Sequence, residues 1–381
     1  MKRWMGIILL VALLVGFVPK KVSAVDLQVE AKSALLMDAA TGTVLYEQNA
    51  HEPLAPASVT KVMTMLLIME AIDSGKLTWE ETVTTSETAA AKGGSQIYLK
   101  VGETMSVSDM LKSIAVSSAN DCACAMAEHL AGSEAAFVEL MNQRASELGM
   151  QDTNFVNCTG LDDGEDAVSH RTSAYDIAVM SAELLVKHPD IKKFTTIWMD
   201  SVRDGTFGLS NTNKMVRFYK DCTGLKTGFT SGAGYCLSSS AKRDGMELIA
   251  VVMGAETSPK RFAACKSMLD YGFATYALVW PTAETATVPV KLGTADTVQA
   301  VPGESKPILI DKSQKSLVST WVDREELVTA PVSKGQRLGT VTVKAGEQIL
   351  AEIPMVAEEP VPRMTFWQIF KEVFRVFCMA K

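Results

Sequence analysis

The segment "LAPASVTKVMTMLLIMEAI" (residues 54–72) constrains the fold of this chain more than any other. Its apolar run starts after Pro56 and a few small residues, a pattern typical of a helix that begins there and is buried in a core. Ser58 and Lys61 lie at its start, and a spacing of three places both on one helical face. A buried lysine has a lowered pKa and can take the proton of a serine. The segment therefore predicts a nucleophile and its base at the mouth of a core helix.

Residues 1–24 predict a secretory signal peptide. Lys2 and Arg3 precede an apolar run that extends to Val18, and the small residues that follow supply a cleavage site before Val25. An uncleaved membrane anchor is the alternative, but the run is short for a bilayer span. Cleavage removes four cations and no acids, so the net charge goes from −7 to −11. An acidic, extracytoplasmic chain is expected, which argues against nucleic acid as a partner.

Cysteine and histidine spacing gives no support for a metal site or a cofactor. The seven cysteines are odd in number and scattered, and most are expected to be small buried apolar residues rather than disulfide partners. Cys122 and Cys124 are two apart on a predicted helix and face different directions. The four histidines lack ligand spacing. We therefore expect neither a metal nor a cofactor.

Residues 25–280 combine helix and strand patterns and predict an α+β domain. The first β-prone runs, in "SALLMDAATGTVLYEQNA", flank a Thr-Gly turn and predict a hairpin, and the last are "YCLSSSAKR" and "MELIAVVMGA". We therefore expect a sheet built from both ends of this region. Helices are predicted over "SVSDMLKSIAVSS", "CACAMAEHLAGSEAAFVELMNQRASELG" with its end at Gly149, "SAYDIAVMSAELLVKH" and "SPKRFAACKSMLDYGFATY".

Residues 283–357 predict a small all-β domain, a sandwich or a barrel. Short strand candidates such as "ATVPVKLG", "TVQAVPG", "KPILID" and "LVSTWVD" are separated by Gly, Pro and Asp. We find no reactive constellation among them. The domain is therefore expected to hold or space the first one.

Residues 358–381 predict a proline-rich hinge followed by an amphipathic helix. Such a helix lies in a membrane interface, and its charges argue against a span, so peripheral attachment to the membrane is expected. The alternative is a terminal helix packed on the β domain or on a partner. The predicted apolar face consists of Phe366, Ile369, Phe370, Val373, Phe374 and Phe377, and the polar face of Gln368, Lys371, Glu372 and Arg375.

Two further motifs complement the serine and lysine of the core helix. "SSAND" contains Ser118 and Asn120 in the order Ser-x-Asn, and "GLKTGFTSGAGY" contains Lys226-Thr227-Gly228 just before a predicted strand. Ser118 can pass a proton from the lysine to a leaving amine, and Asn120 can hydrogen-bond a substrate amide. Lys226 supplies a cation that lowers the pKa of the helix lysine and attracts a carboxylate. Gly228 allows a substrate backbone to approach closely.

Each motif taken alone also fits a structural role, as turn residues or a solvated loop. A second Ser-x-x-Lys match, Ser239 with Lys242, lies in a predicted strand, where residues three apart point to opposite faces. The three motifs in this order are those of serine β-lactamases and penicillin-binding proteins. Their joint occurrence favours an active site.

Along almost its whole length the chain resembles low-molecular-weight penicillin-binding proteins that are serine-type D-alanyl-D-alanine carboxypeptidases. Stretches close to that family include "KTGFTSGAGYCL", "NTNKMV", "GSQIYLKVGETMSVSDML" and "YDIAVM". The resemblance implies a β-lactamase/transpeptidase-like catalytic domain, an antiparallel sheet flanked by helices. It further implies that Ser58 is the acylated nucleophile, Lys61 its general base, and Ser118 and Asn120 the proton relay and amide contact.

The resemblance also assigns residues to the substrate carboxylate and to the oxyanion. Lys226 and Thr227 would bind the terminal carboxylate of the stem peptide, with support from Arg261 in "SPKRF". The backbone amides of Ser58 and Phe229 would form the oxyanion hole. Some relatives carry His at the position of Phe229, a difference that a backbone donor tolerates.

The reaction implied is hydrolysis of a peptidoglycan stem pentapeptide. The serine attacks the carbonyl of the penultimate D-alanine, the terminal D-alanine leaves, and water releases the tetrapeptide. β-Lactam antibiotics would acylate the same serine and act as covalent inhibitors.

Two alternatives stay open at this point. A class A β-lactamase shares the three motifs but adds a glutamate in a Glu-x-x-Leu-Asn context, and the nearest match is "ELMN" at 139–142, in a predicted structural helix. A non-catalytic wall-binding or antibiotic-sensing protein could keep the fold and be acylated without turnover. Release of free D-alanine distinguishes the carboxypeptidase from both.

Overall fold

The computed structural model describes residue 27 and residues 29–379. The predicted signal peptide, residues 1–24, lies outside the described residues. The strands are β1 (Ser33–Asp38), β2 (Val44–Gln48), β3 (Thr82–Thr84), β4 (Thr104–Ser106), β5 (Met199–Val202), β6 (Phe207–Ser210), β7 (Cys222–Thr230), β8 (Gly234–Arg243), β9 (Met246–Ala255), β10 (Tyr276–Val279), β11 (Ala286–Lys291), β12 (Thr297–Pro302), β13 (Ile308–Asp311), β14 (Val318–Arg324), β15 (Val328–Thr329), β16 (Arg337–Ala345) and β17 (Gln348–Ala357).

Most helices precede, interrupt or follow the first group of strands along the chain, and one comes after the second group. The α-helices are α1 (Lys61–Asp73), α2 (Glu87–Ala90), α3 (Val107–Ser117), α4 (Asn120–Ala131), α5 (Glu134–Glu147), α6 (Ala174–Lys187), α7 (Lys192–Thr195), α8 (Met215–Phe218), α9 (Ser258–Thr275) and α10 (Phe366–Met379). Short 3-10 turns span Ala57–Thr60, Glu165–Ser169, Pro189–Ile191 and Lys312–Leu317.

The first sheet has five antiparallel strands in the order β2-β1-β9-β8-β7. The prediction that both ends of the region build one sheet is therefore confirmed. Because side chains alternate across a strand, the central strands supply two cores. In β9, residues Ile249, Val251 and Met253 face the helices that include α1, whereas Leu248, Ala250 and Val252 face α9.

Helix α1 lies at the centre of the larger core. Its buried residues surround the whole helix rather than one stripe, which is typical of a helix enclosed by protein. It packs against α3, α4 and α6 on one side and β7 on the other. The predicted core helix is therefore confirmed, and Lys61 at its first residue is buried with it.

The sequence predicted one long helix that ends at Gly149, and this prediction is wrong because the segment forms two helices. It consists of α4 and α5, separated by Gly132 and Ser133. Gly132 adopts a left-handed conformation with φ 81°, which ends α4. The Ser133 side chain then accepts a hydrogen bond from the Ala136 amide and caps α5.

The cysteines are all free thiols. Those in the two helix–sheet cores are buried, Cys222 is half-buried, and Cys378 is exposed. For the buried ones, the prediction of small apolar core residues is confirmed.

The second group of strands forms a six-stranded sheet in the order β14-β16-β17-β12-β11-β15. Its own apolar core includes Val288, Val341, Val343 and Met355. One predicted strand of this domain behaves differently, because β13 pairs with β10 in a separate two-stranded sheet. An all-β second domain is confirmed, while the division into 25–280 and 283–357 stays a prediction.

Helix α10 follows the second domain. Its aromatic side chains are largely exposed: Phe366 is 73%, Trp367 74% and Phe374 61% exposed. Among the residues that the structure describes, no helix has the length and apolar character needed to cross a membrane.

Candidate active site

Ser58 and Lys61 meet where a 3-10 turn passes into helix α1. Ser58 lies in the turn Ala57–Thr60, and Lys61 is the first residue of the α-helix. Lys61 Nζ donates hydrogen bonds to Ser58 Oγ at 2.9 Å and to the Thr159 carbonyl at 2.8 Å. The ammonium group is fully buried, whereas Ser58 is half-buried. The amine is thus held against a hydroxyl that a ligand can reach.

Burial lowers the pKa of Lys61 to about 7, and the nearby Cys158 and Asp121 oppose this shift. An amine with this pKa is largely unprotonated just above neutral pH, as a general base requires. The sequence predicted that burial and Lys226 both lower this pKa; burial is the cause that the structure supports, and Lys226 is not among the groups that shift it. Repulsion between the two lysines instead contributes to the pKa shift of Lys226. The pKa of Lys226 lies well below its ordinary value because of burial first, and then because of Lys61 and Arg261.

Ser118 and Asn120 lie where α3 passes into α4, next to Asp121, whose charge acts on Lys61. Ser118 ends α3 in a left-handed conformation, φ 64°, and Asn120 begins α4. The Asn120 amide group donates to the Gly93 carbonyl at 2.7 Å. Ser118 Oγ and Asn120 Oδ1 are buried, and neither has a hydrogen-bond partner among the described residues. Buried polar atoms without partners are rare in proteins, so these two are ready for substrate groups.

Lys226, Thr227 and Gly228 lie within strand β7 rather than just before a strand. β7 is the edge of the five-stranded sheet, so its outer backbone groups can pair with a bound peptide. Lys226 is buried, and its Nζ donates to the Thr227 carbonyl at 3.0 Å. Thr227 Oγ1 donates to Thr212 Oγ1 at 2.7 Å. The third motif thus adds a buried amine and a hydroxyl to the edge strand of the sheet.

Gly228 has a structural role in addition to the one that the sequence suggested. A Cβ atom at this position would lie 2.7 Å from the Pro56 carbonyl oxygen and 3.1 Å from the Ser58 amide nitrogen. The missing side chain therefore allows β7 to contact the Ser58 turn itself, not only a substrate backbone. This contact brings the backbone around Ser58 next to that of Phe229, whose side chain is exposed and packs on Tyr235.

Arg261, near the start of α9, is anchored to the sheet. Its Nη1 donates to the carbonyl of Gly228 at 2.9 Å and to that of Cys236 at 3.2 Å. Its guanidinium also lies over the rings of Tyr235 and Phe262. The structure therefore brings Arg261 to the backbone of β7, directly behind the predicted carboxylate site.

The segment Asn157–Gly160 is part of the site, although no motif identified it. Its backbone carbonyls accept hydrogen bonds from α1: Thr159 O from Lys61, and Cys158 O from Thr64 Oγ1 at 2.7 Å. The Asn157 side chain accepts from the amides of Thr159 at 3.1 Å and Gly160 at 2.6 Å, which shapes the turn. The only sequence signal is an Asn and a Gly three residues apart, which is common in turns.

His170 was also missed and supports the Ser58 turn. Its Nδ1 accepts from the Val156 amide at 3.1 Å, so the proton of the neutral ring is on Nε2, which lies 2.8 Å from Thr60 Oγ1. Thr60 in turn donates to the Ala57 carbonyl. Burial, Arg171 and Lys61 lower the pKa of His170 to about 4, so it stays neutral at ordinary pH.

The "ELMN" stretch does not supply a water-activating glutamate. Glu139 is exposed on α5. Asn142 donates to the Phe155 carbonyl and accepts from the Phe155 amide, both at 2.8 Å, and is therefore structural. Within residue 27 and residues 29–379, no cluster of three or more His, Cys, Asp or Glu side chains is placed to hold a metal ion.

Two family models match the chain. The model described as D-alanyl-D-alanine carboxypeptidase matches residues 19–257, and that of the penicillin-binding protein 5 C-terminal domain matches residues 273–363. Among curated proteins, D-alanyl-D-alanine carboxypeptidase DacF of Bacillus subtilis is 43% identical over 97% of both chains. DacC of Escherichia coli is 33% identical over 89% of this chain and 86% of its own.

Solved structures share the fold. Penicillin-binding protein 5 from Haemophilus influenzae is 30% identical, with a TM-score of 0.74, over 88% of this chain and 98% of its own. Penicillin-binding protein D2 from Listeria monocytogenes, in an ampicillin-bound form, is 33% identical with a TM-score of 0.60, over 65% of this chain and 100% of its own.

A glycine exchange tests the contact between the Asn157–Gly160 segment and the Ser58 turn. A Cβ at Gly160, where φ is 83°, would lie 1.9 Å from the Ala57 carbonyl oxygen, whereas Gly149 has a similar φ of 74° and open space around it. Gly149→Ala should cost about 1–2 kcal/mol for its backbone conformation. Gly160→Ala should add an overpacking cost of about 1–3 kcal/mol. Chemical denaturation measures both, and equal free energies of unfolding for the two variants would contradict the contact.

Proposed function

The chain belongs to the D-alanyl-D-alanine carboxypeptidase family, and on that premise we propose that Ser58 is the nucleophile with which it removes the terminal D-alanine of the peptidoglycan pentapeptide. The family consists of serine peptidases that bind this substrate and β-lactams. The observation that carries the assignment is the hydrogen bond from a buried Lys61, with a pKa near 7, to the Ser58 hydroxyl. This is the arrangement that activates a weak nucleophile.

Acylation follows from these positions. Neutral Lys61 takes the proton of Ser58 as Oγ attacks the carbonyl carbon of the penultimate D-alanine. The developing oxyanion is bound by the backbone amides of Ser58 and Phe229. The proton passes through Ser118 to the amine of the departing D-alanine, which leaves with its carboxylate intact.

Substrate binding uses the second and third motifs and the edge of strand β7. Lys226 and Thr227 bind the terminal carboxylate, and Arg261 supports this site through its hydrogen bond to the Gly228 carbonyl. Asn120 bonds a substrate amide with Oδ1, which has no hydrogen-bond partner within the described part of the chain. The edge of β7 pairs with the peptide backbone.

Deacylation regenerates the enzyme. Water attacks the acyl carbon and gives a proton to Lys61, which passes it to Ser58 Oγ as the bond between this oxygen and the tetrapeptide breaks. A β-lactam would form the corresponding acyl-enzyme, as the ampicillin-bound relative illustrates for that protein. The exposed Glu139 offers no base for fast deacylation, so a β-lactamase is disfavoured.

We also propose that the protein acts outside the cytoplasm, attached to the membrane surface by α10. Support comes from the signal-like residues 1–24 and from the exposed aromatic side chains of α10. Lys371 and Arg375 on the opposite face suit anionic lipid headgroups. Attachment of this kind places the cleft beside a polymeric wall substrate.

The nucleophile assignment is tested with benzylpenicillin. Ser58→Ala should lose both the covalent adduct, measured by mass spectrometry with peptide mapping, and release of D-alanine from a diacyl-L-Lys-D-Ala-D-Ala peptide. Ser239→Ala removes the serine of the second Ser-x-x-Lys match, in β8, and should keep both. An adduct that persists in the Ser58 variant would refute the assignment.

The lowered pKa of Lys61 predicts how acylation depends on pH. Below about pH 7 the amine is protonated and cannot accept the serine proton, so the rate should rise with pH through a midpoint near 7. The second-order rate constant for benzylpenicillin, measured at constant ionic strength, reports this midpoint. Lys61→Ala should remove both the rate and the rise. A flat profile in the unaltered protein would contradict the role of Lys61 as base.

Membrane attachment is tested with lipid vesicles that contain one quarter anionic lipid. A chain ending at Glu359 should stay in the supernatant on sedimentation and keep its acylation rate. In the full chain, Phe370→Glu should weaken vesicle binding, whereas Trp321→Glu, which changes an aromatic on β14 that is at least as exposed, should not. Vesicle binding by the truncated chain would show that α10 is not the anchor.

A further inference from the structure

Glu134 is the first residue of α5. It contacts neighbours of the site residues rather than Ser58 or Lys61 themselves. Its Oε1 accepts hydrogen bonds from the amide and the thiol of Cys158, both at 3.2 Å. Its Oε2 accepts from Lys92 Nζ at 2.5 Å. The Glu134 side chain is only 16% exposed. One carboxylate therefore joins two chain segments that are far apart in sequence.

Cys158 and Lys92 are each adjacent to a residue that positions part of the site, whereas a third partner of Glu134, the Cys124 thiol of α4, lies 3.9 Å from Oε2. Cys158 precedes Thr159, whose carbonyl accepts the hydrogen bond from Lys61. Lys92 precedes Gly93, whose carbonyl accepts the hydrogen bond from Asn120. Glu134 thus links the segment whose carbonyl contacts Lys61 to the segment whose carbonyl contacts Asn120.

The charge on Glu134 is suited to this position. Burial raises its pKa, but the hydrogen bonds from Lys92 and Cys158 outweigh burial, so the net shift is downward and the group is ionised. The neighbouring thiol of Cys158 is neutral, because its hydrogen bond to Cys124 and its burial raise its pKa well above the ordinary value. The partly buried ion pair with Lys92 therefore has a single anion, and removing the carboxylate would leave the half-buried Lys92 cation without its counterion.

We propose that Glu134 is a positioning residue, which holds the Thr159 carbonyl against Lys61 and, through Lys92, the Gly93 carbonyl against Asn120. This inference rests on the proposed role of Lys61 as the base. Without the carboxylate, the Asn157–Gly160 segment loses the acceptor of its Cys158 amide and water gains access to the amine. Misplacement of a catalytic group by about 1 Å can lower a rate about 10²-fold.

The test measures acylation by benzylpenicillin per titrated active site, across pH. Glu134→Ala should lower the rate constant by roughly 10-fold to 10²-fold and move its pH midpoint above that of the unaltered protein. The midpoint moves upward because hydration of the Lys61 amine removes part of the burial effect, so its pKa rises toward the ordinary value of lysine. The other titratable groups that interact with Lys61 are Cys158 and Asp121, which already raise its pKa, together with Lys226 and His170, and these stay in place.

A conservative variant and a matched control separate positioning from folding. Glu134→Gln keeps an oxygen for the Cys158 amide and should restore the midpoint, with a smaller loss of rate because Lys92 is unpaired. Glu139→Gln changes an exposed glutamate of the same helix and should have no effect. A purely structural role would lower the number of titratable sites or the melting temperature without moving the midpoint.

The outcomes distinguish this proposal from the one on which it rests. If the unaltered protein forms no adduct on Ser58, the proposed function fails. If it does, but Glu134→Ala keeps the same rate constant and midpoint per titrated site, the positioning role is refuted. If Glu134→Ala does not fold, Glu134→Gln decides. This variant still accepts a hydrogen bond from the Cys158 amide, so a shifted pH midpoint in it would contradict the proposal that this contact positions the segment.

Discussion

Burial of the Lys61 amine is the interaction on which the rest of this structure depends. A lysine at the first residue of a fully enclosed helix cannot reach solvent, so its nitrogen must find protein partners. It finds the Ser58 hydroxyl and the Thr159 carbonyl. The apolar helix thus does two things at once, because it organises the larger core and lowers the pKa of the amine to about 7.

The surrounding chain is arranged to approach this residue closely. Strand β7 contacts the Ser58 turn at Gly228, and the Asn157–Gly160 segment contacts it at Gly160. Both approaches require a residue without a Cβ atom, since a methyl group at either position would overlap backbone atoms of the turn. The nucleophile is therefore held between two glycines from distant parts of the chain.

The two buried lysines have different environments, which is how one site can hold a base and a carboxylate receptor. Burial accounts for most of the pKa shift at Lys61, whereas at Lys226 it is joined by repulsion from Lys61 and Arg261. Within the part of the chain that the structure describes, the Lys226 amine donates only to the Thr227 carbonyl, and a bound carboxylate would favour the protonated form of this amine. Separating titratable groups by environment in this way assigns them distinct roles.

The amino-acid sequence by itself determined the α+β organisation, the core helix and the three motifs, because these depend on apolar periodicity and on reactive residue types at short spacing. It also determined that both ends of the first region share a sheet. The break at Gly132 has a local signal, a glycine followed by the capping Ser133, but the helical pattern on both sides of it obscured this signal. The pairing of β13 with β10 has no local signal, since strand pairing is decided by packing. Only the tertiary structure identified Thr159, Gly160 and Glu134. Thr159 acts through a backbone carbonyl that every residue carries, Gly160 through an absent side chain, and Glu134 through two partners remote in sequence, so none of them has a local signature.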